Sequence, residues 1–404
     1  MRKGWIETNL GGVTKHFRGT VKVQNGVAYK AAGVMMEGRG LIHREPFIGG
    51  VSGYKKLTPI SPGQLVLRSI TAWEAPITVV PSNEFGLHVS GVFPVFNIDE
   101  SLLIPEYMSL ICRWPSFWNE MRIRATGTVL RRKTLNASQL QDIPLILPPL
   151  AEQKRIVHVV SSVDANIEAL QQQADSARAA RDAVLHDLLS AGGDEWAETT
   201  LGEIGLNGMF ADGDWVESKD QDPAGEYRLL QLADVGDGVF LDKSNRWMNS
   251  EQFHRLRCTP LNPRDILIAR MPDPIARACV VPFGLPTCAT VVDVAILRCG
   301  GRFLPEFVVL VINDSAFRTQ AQSLLTGTTR QRISRSNLAK IICKIPSLTE
   351  QKRIVEIVSS VDEVIHSTEQ AVVDAKALRS GLLSDLLSGN HEIPASYDSL
   401  LGPE

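Results

Sequence analysis

Apolar residues recur at alternating steps of four and three along two stretches of the chain. In Glu152–Ser190 the seam is Ile156, Val160, Val163, Ile167, Leu170, Ala174, Ala177, Arg181, Val184 and Leu188. In Glu350–Ser388 it is Ile354, Val358, Val361, Ile365, Thr368, Val372, Ala375, Arg379, Leu382 and Leu386. A 4-3 alternation sustained this long is a heptad pattern and predicts one coiled-coil helix per stretch. Each starts after proline (Pro148, Pro149; Pro346) and stops near glycine (Gly192, Gly193; Gly389), as helix start and stop rules require. About 39 residues at 1.5 Å rise make each helix roughly 58 Å long. Arg181 and Arg379 interrupt the seams at equivalent places. Either their heads reach water along the helix surface, or they pair with acids and fix helix register.

The two stretches are copies. At an offset of 198, 22 of the 41 positions of Leu150–Ser190 are identical to Leu348–Ser388, without a gap. The repeat extends outward. Trp5 to Gly11 matches Trp196 to Gly202, Val79-Val80-Pro81 matches Val280-Val281-Pro282, and Thr126-Gly127-Thr128 matches Thr326-Gly327-Thr328. Ahead of each helix, short β-type runs alternate with Gly and Pro: Gln64–Ile70, Ile77–Val80 and Val92–Ile98, then Ile266–Ala269, Ala278–Val281 and Val291–Leu297. A proline opens a helix-like segment in each half, 105–124 and 305–325. The expected fold is α+β, two tandem α/β domains each built on a strongly curved sheet and followed by a long helix. The divisions are 1–147, 148–193, 194–345, 346–390 and a loose polar tail, 391–404.

Composition narrows the function. Hydrophobic residues are 44% and charged residues 22%, which marks a globular chain. No apolar run is long enough for a membrane span, and the first residues lack the apolar core of a secretory signal, so a cytoplasmic protein without a membrane partner is expected. The six cysteines form no CxxC pair, which disfavours zinc or a redox dithiol and suits reduced thiols. Residues 1–147 hold 17 Lys+Arg against 10 Asp+Glu, whereas 196–345 hold 17 of each.

Catalytic patterns are missing: no phosphate-binding GxxxxGK[ST], no methyltransferase motif and no HExxH or other metal spacing. Pro263-Arg264-Asp265 with Ile268-Ala269-Arg270 echoes a nuclease motif but lacks its second acid and lysine. The remaining pattern is one of binding. A glycine-hinged loop in each half carries residues that hold phosphates and read base edges: Arg131, Arg132 and Lys133 in the first; Thr328, Arg330, Arg332 and Arg335 in the second. Lys15, Arg18, Lys22, Lys55, Lys56 and Arg270 are further DNA-contact candidates. Each of these is also readable as an ordinary surface charge.

Together these marks resemble the specificity subunits of type I restriction-modification systems. The resemblance rests on Leu147-Pro148-Pro149 and Ile345-Pro346, on Glu-Gln-Lys-Arg-Ile at 152–156 and 350–354, on helices ending Leu-Leu-Ser, and on Trp-x-x-x-x-Leu-Gly opening each half. It implies two target-recognition domains, each reading one half of a bipartite asymmetric site on double-stranded DNA. It implies that the helices pair as an antiparallel coiled coil, set the spacing, and dock methyltransferase subunits. S-adenosylmethionine would sit in those subunits and no cofactor in this chain, which would be non-catalytic. A separate restriction/translocase subunit would complete the complex. Two alternatives stay open: a DNA-targeting subunit of another defence or modification complex, and a coiled-coil adaptor that binds no DNA.

Overall fold

The computed structural model describes residues 4–51, 53–327 and 331–400. By its internal packing the chain divides into two compact units, 1–171 with 370–404, and 172–369. The division runs through both long helices, Leu150–Ser190 and Leu348–Leu387, rather than at the starts of the helices.

The first unit is built from small sheets rather than the single curved sheet expected. Thr14–Phe17, Val95–Ile98, Leu65–Leu67 and Ile77–Val79 lie side by side, all antiparallel. A six-stranded mixed sheet runs Val21–Lys22, Lys56–Ile60, Leu87–Val89, Ala28–Val34, Leu41–His43, with Phe47–Ile48 also on Ala28–Val34. Ile6–Asn9 pairs antiparallel with Pro144–Leu147. Gly and Pro between the apolar runs keep each strand too short for one continuous sheet. The segment opened by Pro105 is two helices, Pro105–Cys112 and Pro115–Arg124. A proline begins each, and Pro115 forces the preceding Trp114 out of helical geometry.

The second unit repeats the plan. Met209–Asp212, Val294–Arg298, Ile266–Ala269 and Ala278–Val280 form one sheet, Trp247–Met248, Tyr227–Leu230 and Cys288–Thr290 a second, and Ala197–Thr200 pairs with Ile342–Ile345. Its helix pair is Pro305–Asn313 and Ser315–Ser323; Asp314 separates them by accepting from the Ala316 N–H at 2.8 Å.

Each core is closed by two helix ends. In the first unit Ile156 and Val160 join Leu383, Leu386 and Leu387 against Leu65, Phe96, Tyr107 and Phe117. In the second, Ile354 and Val358 join Leu185 against Ile266, Leu297, Phe307 and Phe317, with Leu188 and Leu189 packed alongside. The positions correspond at the offset of 198, so each of these cores meets the start of its own helix and the end of the other. Within each unit the helix segments are antiparallel: Asp164 meets Arg379 in the first, and Asp362 meets Arg181 in the second.

Along the seams Ile167, Ala174, Ile365, Thr368 and Val372 are buried, and Val163, Leu170, Val361 and Ala375 half-buried. Val184 is exposed and Leu185 buried instead. The strict heptad gives way there because the helix end must also face the second unit's core. The tail is not loose over its described part. Ile393 enters the first core, Ala395–Leu400 is a 3-10 helix, and Arg155 Nη1 donates to Asp398 Oδ1 and Oδ2 at 3.1 and 3.0 Å.

The repeated Glu-Gln-Lys-Arg-Ile sequence acts through its glutamine. Gln153 Oε1 accepts from the Ile104 N–H at 3.0 Å, and Nε2 donates to the Leu102 and Pro148 carbonyls at 2.8 and 2.9 Å. Gln351 accepts from the Leu304 N–H at 2.8 Å and donates to the Arg302 and Pro346 carbonyls at 3.2 and 3.0 Å. Both amides are buried, so each bond replaces one that water would otherwise supply.

Candidate nucleic-acid interface

In the first unit the glycine-hinged loop is closed by paired backbone bonds between Thr126 and Thr134, both 2.8 Å. Gly127 sits at φ +127, where a Cβ would come within 3.1 Å of the Arg132 carbonyl. The loop carries a 3-10 turn, Leu130–Arg132. Arg131 and Arg132 are exposed and Lys133 is half-buried. None of the three has an ion-pair partner among the described residues, so their charge is offered to solvent. Val129 and Leu130 are exposed as well. An exposed apolar pair directly ahead of the cations suits contact with a groove wall; a search of the sequence for charge alone passes over these two side chains.

A second basic spot lies on the six-stranded sheet. Lys22 and Lys56 are directly opposed across strands, and with Lys55, Tyr54 and Asn25 they line a hollow of about 470 Å³. Like charges directly opposed are unfavourable, and a bound phosphate would relieve them. Lys15 is exposed on Thr14–Phe17, opposite Asn97, and Arg18 follows the strand, also exposed. His16 between them has its pKa lowered by burial and then by the Arg18 charge.

The second unit treats its arginines differently. Thr326 and Arg332 close the equivalent loop with bonds of 3.0 and 2.9 Å, and Gly327 sits at φ +94. Thr328 and Arg330 lie outside the described residues. Arg332 Nη2 donates to the Val292 carbonyl at 3.2 Å and lies 3.3 Å from Asp293 Oδ1. Arg335 is exposed but turned inward, Nη1 donating to the Phe210 carbonyl at 3.1 Å and Nε to Asp212 at 3.3 Å.

Arg270 is not a surface contact. It is 6% exposed, and it donates to the Ile333 carbonyl at 3.0 Å, to the Val292 carbonyl at 3.1 Å and to Asp212. Burial is the main cause of its lowered pKa. It fixes the loop from behind, since the Ile333 N–H also bonds the Arg270 carbonyl at 3.0 Å. The nuclease echo dissolves likewise: Asp265 is buried and takes two bonds of 2.7 Å from Arg298.

Among the described residues no helix is long and apolar enough to cross a membrane, and no group of His, Cys, Asp and Glu is placed to hold a metal ion.

Comparison with known proteins follows the same outline. Residues 125–177 and 306–375 match the family model described as Type I restriction modification DNA specificity domain; each match includes a glycine-hinged loop and most of a long helix. The type I restriction enzyme MjaVIII specificity subunit of Methanocaldococcus jannaschii is 23% identical over 270 residues, 62% of this chain and 62% of that protein. The chain thus spans a little under two thirds of that relative. The putative type I restriction enzyme MjaX specificity subunit of the same organism is 22% identical over 321 residues, 76% and 72% of the two chains. A chain from a structural study of type I R-M system assembly superposes with a TM-score of 0.63, at 17% identity over 96% of this chain and 98% of that one. The HsdS subunit from Thermoanaerobacter tengcongensis gives 0.55 at 17% identity, over 97% and 98%. At these identities the superpositions speak for the fold alone.

Proposed function

We infer that this chain, a member of the type I restriction-modification specificity subunits, is the DNA-reading component of such a complex. Each recognition region reads one half of a split, asymmetric site on double-stranded DNA. The observation that carries the reading is the duplication itself. Two recognition regions are mounted on equivalent helix ends, yet they present different chemistry: unbraced Arg131 and Arg132 in one, braced Arg332 in the other. Equivalent scaffolds with unlike reading surfaces suit two unlike half-sites. The helices set the spacing and dock methyltransferase subunits. Those subunits hold S-adenosylmethionine, a further subunit restricts and translocates, and this chain performs no chemistry of its own.

A coiled-coil adaptor would need neither the exposed loop cations nor the opposed Lys22 and Lys56. Sequence-resolved adenine methylation, in cells with and without this chain, tests the reading. One split motif should lose its methyl groups when the chain is removed. Unchanged methylation would favour the adaptor or another modification complex.

A further inference from the structure

Beside the Thr326–Arg332 loop, the second unit carries a groove of about 750 Å³, lined by Asp214, Trp215, Gln231, Met271, Asp293 and Arg332 among others. Trp215 is 69% exposed, and its indole N–H donates to Glu217 at 3.3 Å. An indole this exposed at the groove has a face free to stack on a base. The carboxylates on the groove walls decide what enters. Asp214, Glu217 and Asp293 repel a phosphodiester, so the groove does not track the DNA backbone. They accept hydrogen bonds, and base edges with an exocyclic amino group offer them.

Arg332 and Asp293 are the central pair. Their side chains are 36% and 32% exposed, with Arg332 Nη2 3.3 Å from Asp293 Oδ1. Nη2 also bonds the Val292 carbonyl. Among the described residues the buried Nε has no partner, and Nη1 makes no hydrogen bond. The guanidinium is therefore held in place with its Nη1 donors to spare, which lowers the ordering cost of engaging a ligand. A fixed guanidinium suits the O6 and N7 acceptors of guanine, and a carboxylate suits the N4 amino group of cytosine. Side by side they complement the major-groove edge of a G·C pair.

We propose that Arg332 and Asp293 read one G·C base pair in the half-site bound by the second unit, with the Trp215 ring against the neighbouring pair. This rests on the DNA-reading function above. Arg131 and Arg132, which no described residue braces through an ion pair, hold phosphate in the first unit.

The test is adenine-methylation sequencing of the complete system with the full chain, unaltered and as Arg332→Ala, Arg332→Lys, Asp293→Asn and the double change Arg131→Ala, Arg132→Ala. The unaltered chain gives a split motif with a G·C pair in one half. Arg332→Ala and Asp293→Asn lower discrimination at that pair by roughly 5- to 150-fold, the equivalent of one bidentate contact, and leave the other half-site intact. Arg332→Lys keeps the charge and relaxes the same position. The double change lowers methylation across sequences without relaxing either half. An unaltered motif in all Arg332 and Asp293 variants, or loss of both half-sites together, overturns the proposal while the DNA-reading function stands. A complete system that yields no split motif with the unaltered chain overturns both.

Discussion

Arg379 stands to Asp164 as Arg181 stands to Asp362. In the first unit Arg379 donates through Nη2 at 2.9 Å and through Nε; in the second Arg181 donates through Nε at 2.7 Å and Nη2 at 3.3 Å. Shifted by 198 residues, each arginine and each acid exchange helices. The seam arginines thus meet acids in fork geometry instead of merely reaching water. Reversing one charge, Arg379→Asp, should cost about 1–2 kcal/mol, the scale of a partly exposed ion pair turned repulsive. Adding Asp164→Arg should recover most of it. Thermal unfolding of the single and double variants checks the coupling, and a double variant no more stable than Arg379→Asp would refute it.

Gln153→Leu should destabilise the first unit by about 2–4 kcal/mol, because it strands the Ile104 N–H and the Leu102 and Pro148 carbonyls in a dry site. Gln351→Leu should act likewise on the second unit. Denaturant unfolding followed by hydrogen exchange separates the two. Loss of protection should centre on 102–104 in one variant and on 302–304 in the other.

The docked tail makes its own demand. Tyr397 bonds His158 at 3.0 Å and Asp398 holds Arg155. Changing Tyr397 and Asp398 together to alanine should speed amide exchange and protease cutting within 391–400 while Ile393 keeps its place in the core. Unaltered exchange in that segment would mean that these two side chains do not hold it.

Replacing Lys22, Lys55 and Lys56 with alanine should weaken DNA binding evenly across sequences and flatten its dependence on salt, by up to about one unit of slope for each phosphate no longer neutralised. Titration of a fluorescent duplex at several salt concentrations gives the slope. An unchanged slope would clear this hollow of phosphate binding.

Burial pushes the thiols up: Cys258 and Cys288 to about 11, Cys279, Cys299 and Cys343 to about 12, and Cys112 higher still. At a pH of about 8 almost none is thiolate, the form that reacts. Ellman's reagent should therefore label the native chain slowly and all six cysteines promptly after unfolding. Fast labelling of several in the native state would contradict this.

Periodicity and repetition make the long helices, their pairing positions and the tandem halves legible in the chain alone, because a helix face and a duplicated sequence are both local patterns. Short apolar strands bounded by Gly and Pro are local patterns too, and Ile266–Ala269 and Ile77–Val79 fall within a residue or so of their expected spans. What stays hidden depends on distant partners. Arg270 looks like any strand-end cation until Ile333 and Asp212 fold onto it. Leu185 replaces Val184 because the second unit's core faces that end of the helix. The tail's composition is polar, yet one isoleucine and one aspartate find a core and an arginine prepared by residues more than 200 positions away.

The buried glutamines have a mechanical consequence. Each fastens the first turn of a long helix to the loop just ahead of a proline-opened helix, Pro105–Cys112 or Pro305–Asn313, and to the turn that precedes the long helix itself. The helix behind this joint has 41 residues in the first copy, a lever of roughly 60 Å. A tilt of about 10° at the joint would swing a straight lever of that length by about 10 Å at its tip. One buried side-chain amide in each unit thus stiffens the joint from which a long helix departs, and a change as small as Gln to Leu would loosen it.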